Sequence, residues 1–169
     1  MSRDLSTLQP ETEAKVSHFL MIAAARNLRI LVYCTRRSLE DQARLYRQGR
    51  PLYKIQAKAD ELAHDYGRSD LRTILLGVGP QRGRKVTNAG PGQSMHNYGY
   101  AADAVPMING KPLWRNETHE EKEVFDVFGR SAEEAGLEWA GRWHGSLMEV
   151  FHVQEPGKKW QELILEAGI

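Results

Sequence analysis

Apolar positions recur along this chain with two periods, and each period marks its own set of elements. Pro10 suits the first position of a helix, and Val16, Phe19, Leu20, Ala23 and Ala24 follow at helical spacing, predicting a helix from about Pro10 to Asn27. "RILVYC", residues 29–34, is rich in β-branched and aromatic side chains and predicts a strand. Ser38 is placed to cap a helix, with Asp41 three residues on; that helix runs to about Gln48 and stops at Gly49. Ile55, Ala59, Leu62, Ala63 and Tyr66 share one helical face, whereas "RTILLGVG" reads equally as a short strand or a further turn of helix. Glycine and proline then thicken through "GPQRGRKVTNAGPG", which reads as loop.

In the second half, "YAADAVPM" predicts a strand ending near Pro106, and "LMEVFHV" a late strand. Between them a helix from about Thr118 to Ala135 turns Val124, Phe125, Phe128 and Ala132 inward and stops at Gly136. Trp160, Leu163 and Ile164 mark a closing helix. The connections are too irregular for a regular βαβ series, and no internal repeat is present. The expected class is α+β, with a small, mainly antiparallel sheet flanked by helices. A chain of 169 residues fits one domain, 1–169, with a single well-buried core.

Charge and composition narrow the function. With 23 basic and 22 acidic residues, a net charge of +1 gives no electrostatic case for nucleic acid. The longest apolar stretch, "FLMIAAA", is too short to span a bilayer. The N-terminus lacks the charged-then-apolar pattern of a secretory signal, so synthesis in a cytoplasm without a Sec signal is expected. The single cysteine, Cys34, excludes an intramolecular disulfide and a thiolate cluster, and is expected to pack as a small buried hydrophobe.

Two stretches carry candidate chemistry. "GQSMHNYGYAADAV", residues 92–105, places His96 and Asp103 seven residues apart around Gly99. "EVFHV" places Glu149 three residues before His152; on a regular strand the two would face opposite sides, so a bulge or bend is needed for both to reach one site. If that demand is met, His96, Asp103 and His152 form a set of two imidazoles and one carboxylate. Zinc accepts such a set, and three protein ligands leave a fourth tetrahedral position open. Glu149 would then be the general base. The plainer alternative is a hydrogen-bonded His–Asp pair and an ordinary strand with polar outward positions. The remaining histidines, His18, His64, His119 and His144, read as surface or locally bonded groups. "HEEKE", residues 119–123, lacks the second histidine of a zinc helix and reads as a charged helix start.

Three blocks together resemble a known family. "SMHNYGYAAD" matches the S-x-H-x-x-G-x-A-x-D pattern of the zinc D-Ala-D-Ala carboxypeptidases, the peptidase M15 group that includes VanX and VanY. Glu149 and His152, preceded by "GLEWAGRW", resemble the second family motif, and "YCTRRSLEDQARLYRQGR" resembles an earlier one. The resemblance is closest to the phage L-alanyl-D-glutamate peptidase endolysins and spans roughly residues 8 to 155. It implies the hedgehog/D-Ala-D-Ala-peptidase type of fold, Zn2+ held by His96, Asp103 and His152, and Glu149 as catalytic acid/base. It also implies that Arg37 binds and polarises the substrate, with Gln42 lining that pocket and Ser94 near the substrate. The guanidinium fork of Arg37 independently suits a carboxylate or a developing oxyanion. Gly99, Ala101 and Ala102 are expected to let the backbone run close beside the metal. Two features depart from the family pattern: residues 51–84 form an insertion, and position 149 is Glu where the phage peptidases often carry Asp.

The expected function is therefore a zinc peptidase that hydrolyses the L-alanyl-D-glutamate bond of cell-wall stem peptides. The resemblance extends to single-domain phage endolysins, monomers without a separate wall-binding domain that are made in the host cytoplasm and reach the wall after membrane breach. A D-alanyl-D-alanine carboxypeptidase or dipeptidase is the alternative enzyme, and a non-catalytic, zinc-stabilised wall-binding module the alternative from another class.

Overall fold

The computed structural model describes residues 2–145 and 148–166. It is α+β with a small antiparallel sheet, as the pattern of positions predicts. The chain divides into two compact units, one of residues 1–36 and 99–157, the other of residues 37–98 and 158–169. No helix among the described residues is long and apolar enough to cross a membrane.

The first unit holds α1 (Pro10–Ala25), β1 (Arg29–Cys34), β2 (Ala101–Ile108), β3 (Lys111–Pro112), α6 (His119–Glu134), β4 (Glu138–Trp139) and β5 (His152–Gln154). Its sheet runs β1-β2-β5-β4, with β3 folded back on the far end of β2. The core lies between the sheet and the two long helices: Val16, Phe19 and Ala23 of α1 meet Phe125, Phe128 and Ala132 of α6, and Ala102, Ala104 and Val153 close it from the sheet. Phe19 and Phe128 pack edge to face with centroids 5.0 Å apart. Ala24, expected inside, is exposed, and Ile22 is packed against the core instead. Helix α6 begins as its sequence predicts: Thr118 accepts from Glu121 N at 3.2 Å, and the Glu121 carboxylate accepts from Thr118 N at 3.0 Å.

Two strand expectations need correction. Strand β2 does not end at Pro106 but continues to Ile108. The Pro106 carbonyl accepts from Leu113 N, so the missing proline N–H falls on the same side, beyond the point where β5 pairs with β2, and the β1–β2 ladder is untouched. The late strand is shorter than "LMEVFHV" predicts, covering only His152–Gln154. Leu147, in that expected strand, lies outside the described residues.

Trp139 connects this core to the stretch that precedes β5. Its indole Nε1 donates to the Val150 carbonyl at 2.9 Å. A Cβ at Gly129 would lie 2.0 Å from the indole ring, and one at Gly141 2.2 Å away. Gly129 sits mid-helix, where alanine would ordinarily stabilise by about 1 kcal/mol. Overpacking against a rigid buried ring outweighs that gain. Gly129→Ala is expected to destabilise the protein by about 1–3 kcal/mol net, read from the denaturant midpoint; an unchanged or raised midpoint would contradict the packing.

The second unit is helical: α2 (Leu39–Arg47), α3 (Leu52–His64), α4 (Ser69–Gly77), α5 (Met95–Tyr98) and α7 (Trp160–Glu166). The expected insertion, residues 51–84, is α3, α4 and the start of the following loop, so "RTILLGVG" belongs to a helix rather than a strand. Ile55, Ala59 and Leu62 pack with Leu71, Leu75, Ala43, Tyr46 and Ile164 into a second core, so the segment supplies most of that unit's apolar interior. Arg47 donates to the Leu75 and Leu76 carbonyls at the end of α4, and Arg68 ties α4 to α7 by donating to the Ile164 carbonyl.

Candidate active site

Alternation along β2 decides which side chains can take part in chemistry in the first unit. Ala102 and Ala104 point into the hydrophobic core, so Asp103 between them points to the opposite face. In the sheet Cys34 of β1 and His152 of β5 are the register partners of Asp103 on its two sides. Three residues able to bind a metal therefore lie in one row across three strands. Cys34 is buried, as expected, but it belongs to this row and to neither hydrophobic core.

Asp103 Oδ1 lies 3.2 Å from His152 Nδ1, and both side chains are largely shielded from solvent. Two donors on a tetrahedral zinc, with bonds of about 2.0–2.1 Å, sit roughly 3.3 Å apart. The pair thus fits two neighbouring ligand positions of such an ion. The other ring nitrogen of His152, Nε2, lies 3.1 Å from Gln154 Oε1. Gln154 Nε2 donates in turn to Glu138 at 3.0 Å, and Glu138 accepts from the Trp143 indole at 2.7 Å. The Trp143 ring packs against His152 with centroids 5.8 Å apart.

The bend that Glu149 requires is present. His152 N donates to the Glu149 carbonyl at 3.2 Å, a turn in place of extended strand, so the two residues are no longer bound to opposite faces. Glu149 N donates to the Ala140 carbonyl, which anchors the start of the turn. Glu149 itself is exposed.

In the second unit, Arg37 Nη1 donates to Gln42 Oε1 at 2.8 Å. Ser38 caps α2 by accepting from Asp41 N, which turns the chain so that Arg37, just before the helix, can reach Gln42 inside it. Gln42 is fully buried and its Nε2 donates to the Ala89 carbonyl, so both ends of its amide are taken and it braces Arg37. Arg36 is exposed, whereas Arg37 is half-buried.

His96 is buried on the short helix α5, and its carbonyl accepts from Arg37 N at 3.0 Å. Asn97, not singled out from the sequence, locks the same junction: its Nδ2 donates to the Arg37 carbonyl and its Oδ1 accepts from Gly92 N. The Tyr98 hydroxyl donates to the Gly92 carbonyl, and burial pushes its phenol up to about 12, so it remains a neutral donor. Ser94 is half-buried at the head of this turn, and its carbonyl accepts from Asn97 N.

The small residues of the motif are closely packed within the first unit. Gly99 has φ +77°, and a Cβ there would lie 3.1 Å from the Thr7 carbonyl oxygen; Gln9 N donates to the Gly99 carbonyl. Ala101 and Ala102 are fully buried and pair with Gln154 and Val153. The other histidines are peripheral: His64 bonds the Asp60 carbonyl, His119 lies beside Glu123, and His18 and His144 are exposed.

The motif of the first block, the Asp103–His152 pair and the Glu149 turn all fall in one continuous part of the sequence. Residues 87–154 match the D-alanyl-D-alanine carboxypeptidase family. The matched segment contains the first block and the Glu149–His152 motif, with His96, Asp103, Glu149 and His152 together, and the block around Arg37 lies outside it. No curated protein sequence shows significant similarity to the chain. Among solved structures, the Serratia marcescens L-Ala D-Glu endopeptidase ChiX is similar at 18% identity, over 89% of this chain and 82% of its own, with a TM-score of 0.47. The vancomycin-resistance D,D-pentapeptidase VanY, an E175A mutant from the VanB-type cassette in complex with Zn(II), is similar at 16% identity over 96% and 80%, TM-score 0.48. The L,D-carboxypeptidase DacB of Streptococcus pneumoniae is similar at 17% identity over 94% and 72%, TM-score 0.49.

Proposed function

We propose that this protein is a zinc-dependent peptidase that hydrolyses the L-alanyl-D-glutamate bond of bacterial cell-wall stem peptides. The observation that carries the reading is the Asp103–His152 pair, set at the separation of two zinc ligands inside the segment that matches a peptidase family. His96, from the same segment, is the third ligand of the proposed set. When bound, zinc in such a site supplies a Lewis acid for the carbonyl and lowers the pKa of a bound water to about 7.

The protein's own residues do the rest. Glu149 takes a proton from the attacking water and returns it to the amine that leaves as the C–N bond breaks. Arg37, braced by Gln42, faces the negative charge that develops on the scissile carbonyl. Arg37→Lys is expected to lower kcat and kcat/KM together, because a point-charge ammonium cannot reproduce the planar fork and the interaction exists only in the transition state. A rise in KM with kcat unchanged, on a soluble stem-peptide fragment, would instead make Arg37 a ground-state carboxylate anchor.

The family description favours a second reading, a D-alanyl-D-alanine carboxypeptidase. Mass spectrometry of fragments released from purified peptidoglycan separates the two. New N-terminal D-glutamate supports the proposal; release of single D-alanine residues with the L-alanyl bond intact overturns it.

A further inference from the structure

We propose that Gln154 and Glu138 are positioning residues that set the tautomer of His152, so that its Nδ1 is presented to the metal; this rests on the zinc reading above. Direction in the chain of hydrogen bonds is imposed from its far end. Glu138 is a carboxylate that accepts on both oxygens, from the Trp143 indole at 2.7 Å and from Gln154 Nε2 at 3.0 Å. An indole N–H can only donate, so Trp143 fixes one oxygen of Glu138 and leaves the other to Gln154. The Gln154 amide must then turn its NH2 group towards Glu138 and its Oε1 towards His152.

Oε1 can only accept, so His152 Nε2, 3.1 Å away, carries the proton. In the neutral imidazole that a metal ligand must be, the lone pair is then on Nδ1, the nitrogen that faces Asp103 at 3.2 Å. The strands supply the register. Gln154 and Glu138 are cross-strand partners on β5 and β4, and His152, two residues before Gln154, shares its face. The Trp143 ring, packed against His152, restrains rotation about the same side chain. Hydrogen bonding to the distal nitrogen of a metal-bound histidine is worth roughly ten- to a hundredfold in metal affinity.

The test is zinc affinity by chelator competition, together with the ring-nitrogen shifts of His152 in the zinc-loaded protein. Gln154→Leu keeps a side chain of similar size and removes the acceptor. It is expected to weaken zinc binding about ten- to a hundredfold and to shift the Nε2–H resonance. Gln154→Glu combined with Glu138→Gln exchanges the two groups while preserving every donor and acceptor, and is expected to restore most of that affinity. Wild-type zinc affinity and an unmoved resonance in Gln154→Leu would overturn the proposal, as would a double variant no better than Gln154→Leu while its thermal midpoint remains normal. Absence of zinc from the wild-type protein would overturn the zinc reading as well, which distinguishes the two failures.

Discussion

Glu149→Gln should lower the rate of stem-peptide hydrolysis by at least about a hundredfold, the usual contribution of a positioned general base. The amide has the size and reach of the carboxylate but cannot take a proton from water. Glu149 is exposed and sits at the start of the turn into β5, where its backbone rather than its side chain makes the structural bonds, to Ala140 and His152. The substitution should therefore leave zinc content and thermal midpoint nearly unchanged. Steady-state kinetics on a soluble substrate, with element analysis of the same sample, checks both halves. Loss of zinc from the variant would make Glu149 a ligand and overturn its assignment as base.

His152→Ala is expected to have an effect of the opposite kind, removing metal, activity and part of the stability together. His152 is buried, with Nδ1 3.2 Å from Asp103 and Nε2 3.1 Å from Gln154. Its removal takes the ring N–H from the Gln154 oxygen, which costs about 1–3 kcal/mol if no water replaces the ring. It also removes the part of folding stability linked to metal binding. Thermal unfolding with and without added zinc reads this directly. The wild type should be stabilised by zinc, and the variant should start lower and show no response. A variant that zinc stabilises as strongly as the wild type would exclude His152 from the site.

Most of the fold was legible because its long helices announce themselves twice, in period and in caps. Helix α6 shows an apolar face at Phe125, Phe128 and Ala132 and a capping box at Thr118 and Glu121, and both are present in the structure. Strands β3 and β4 have two residues each, too few for any period to show, and only their pairing with β2 and β5 defines them. "LMEVFHV" was misleading in extent because Val150 and Phe151 are apolar for packing against the core from a turn, not from a strand.

The site divides in the same way. Asp103 and His152, which lie side by side, had been singled out by motif spacing, and the bend found between Glu149 and His152 was a deduction from strand geometry. Gln154, Glu138 and Asn97 carried no signal. Each is a single polar residue whose role depends on a cross-strand or cross-loop partner distant in sequence, 16 residues away for Gln154 and Glu138 and 60 for Asn97 and Arg37.

The most direct measurement of the central claim is zinc content per chain after metal loading and exhaustive dialysis, compared between wild type and Asp103→Ala, with peptidoglycan hydrolysis followed on the same samples. The predicted result is about one zinc per wild-type chain, close to none in the variant, and hydrolysis that disappears on chelation and returns with zinc. Full hydrolysis by metal-free wild-type protein would contradict it.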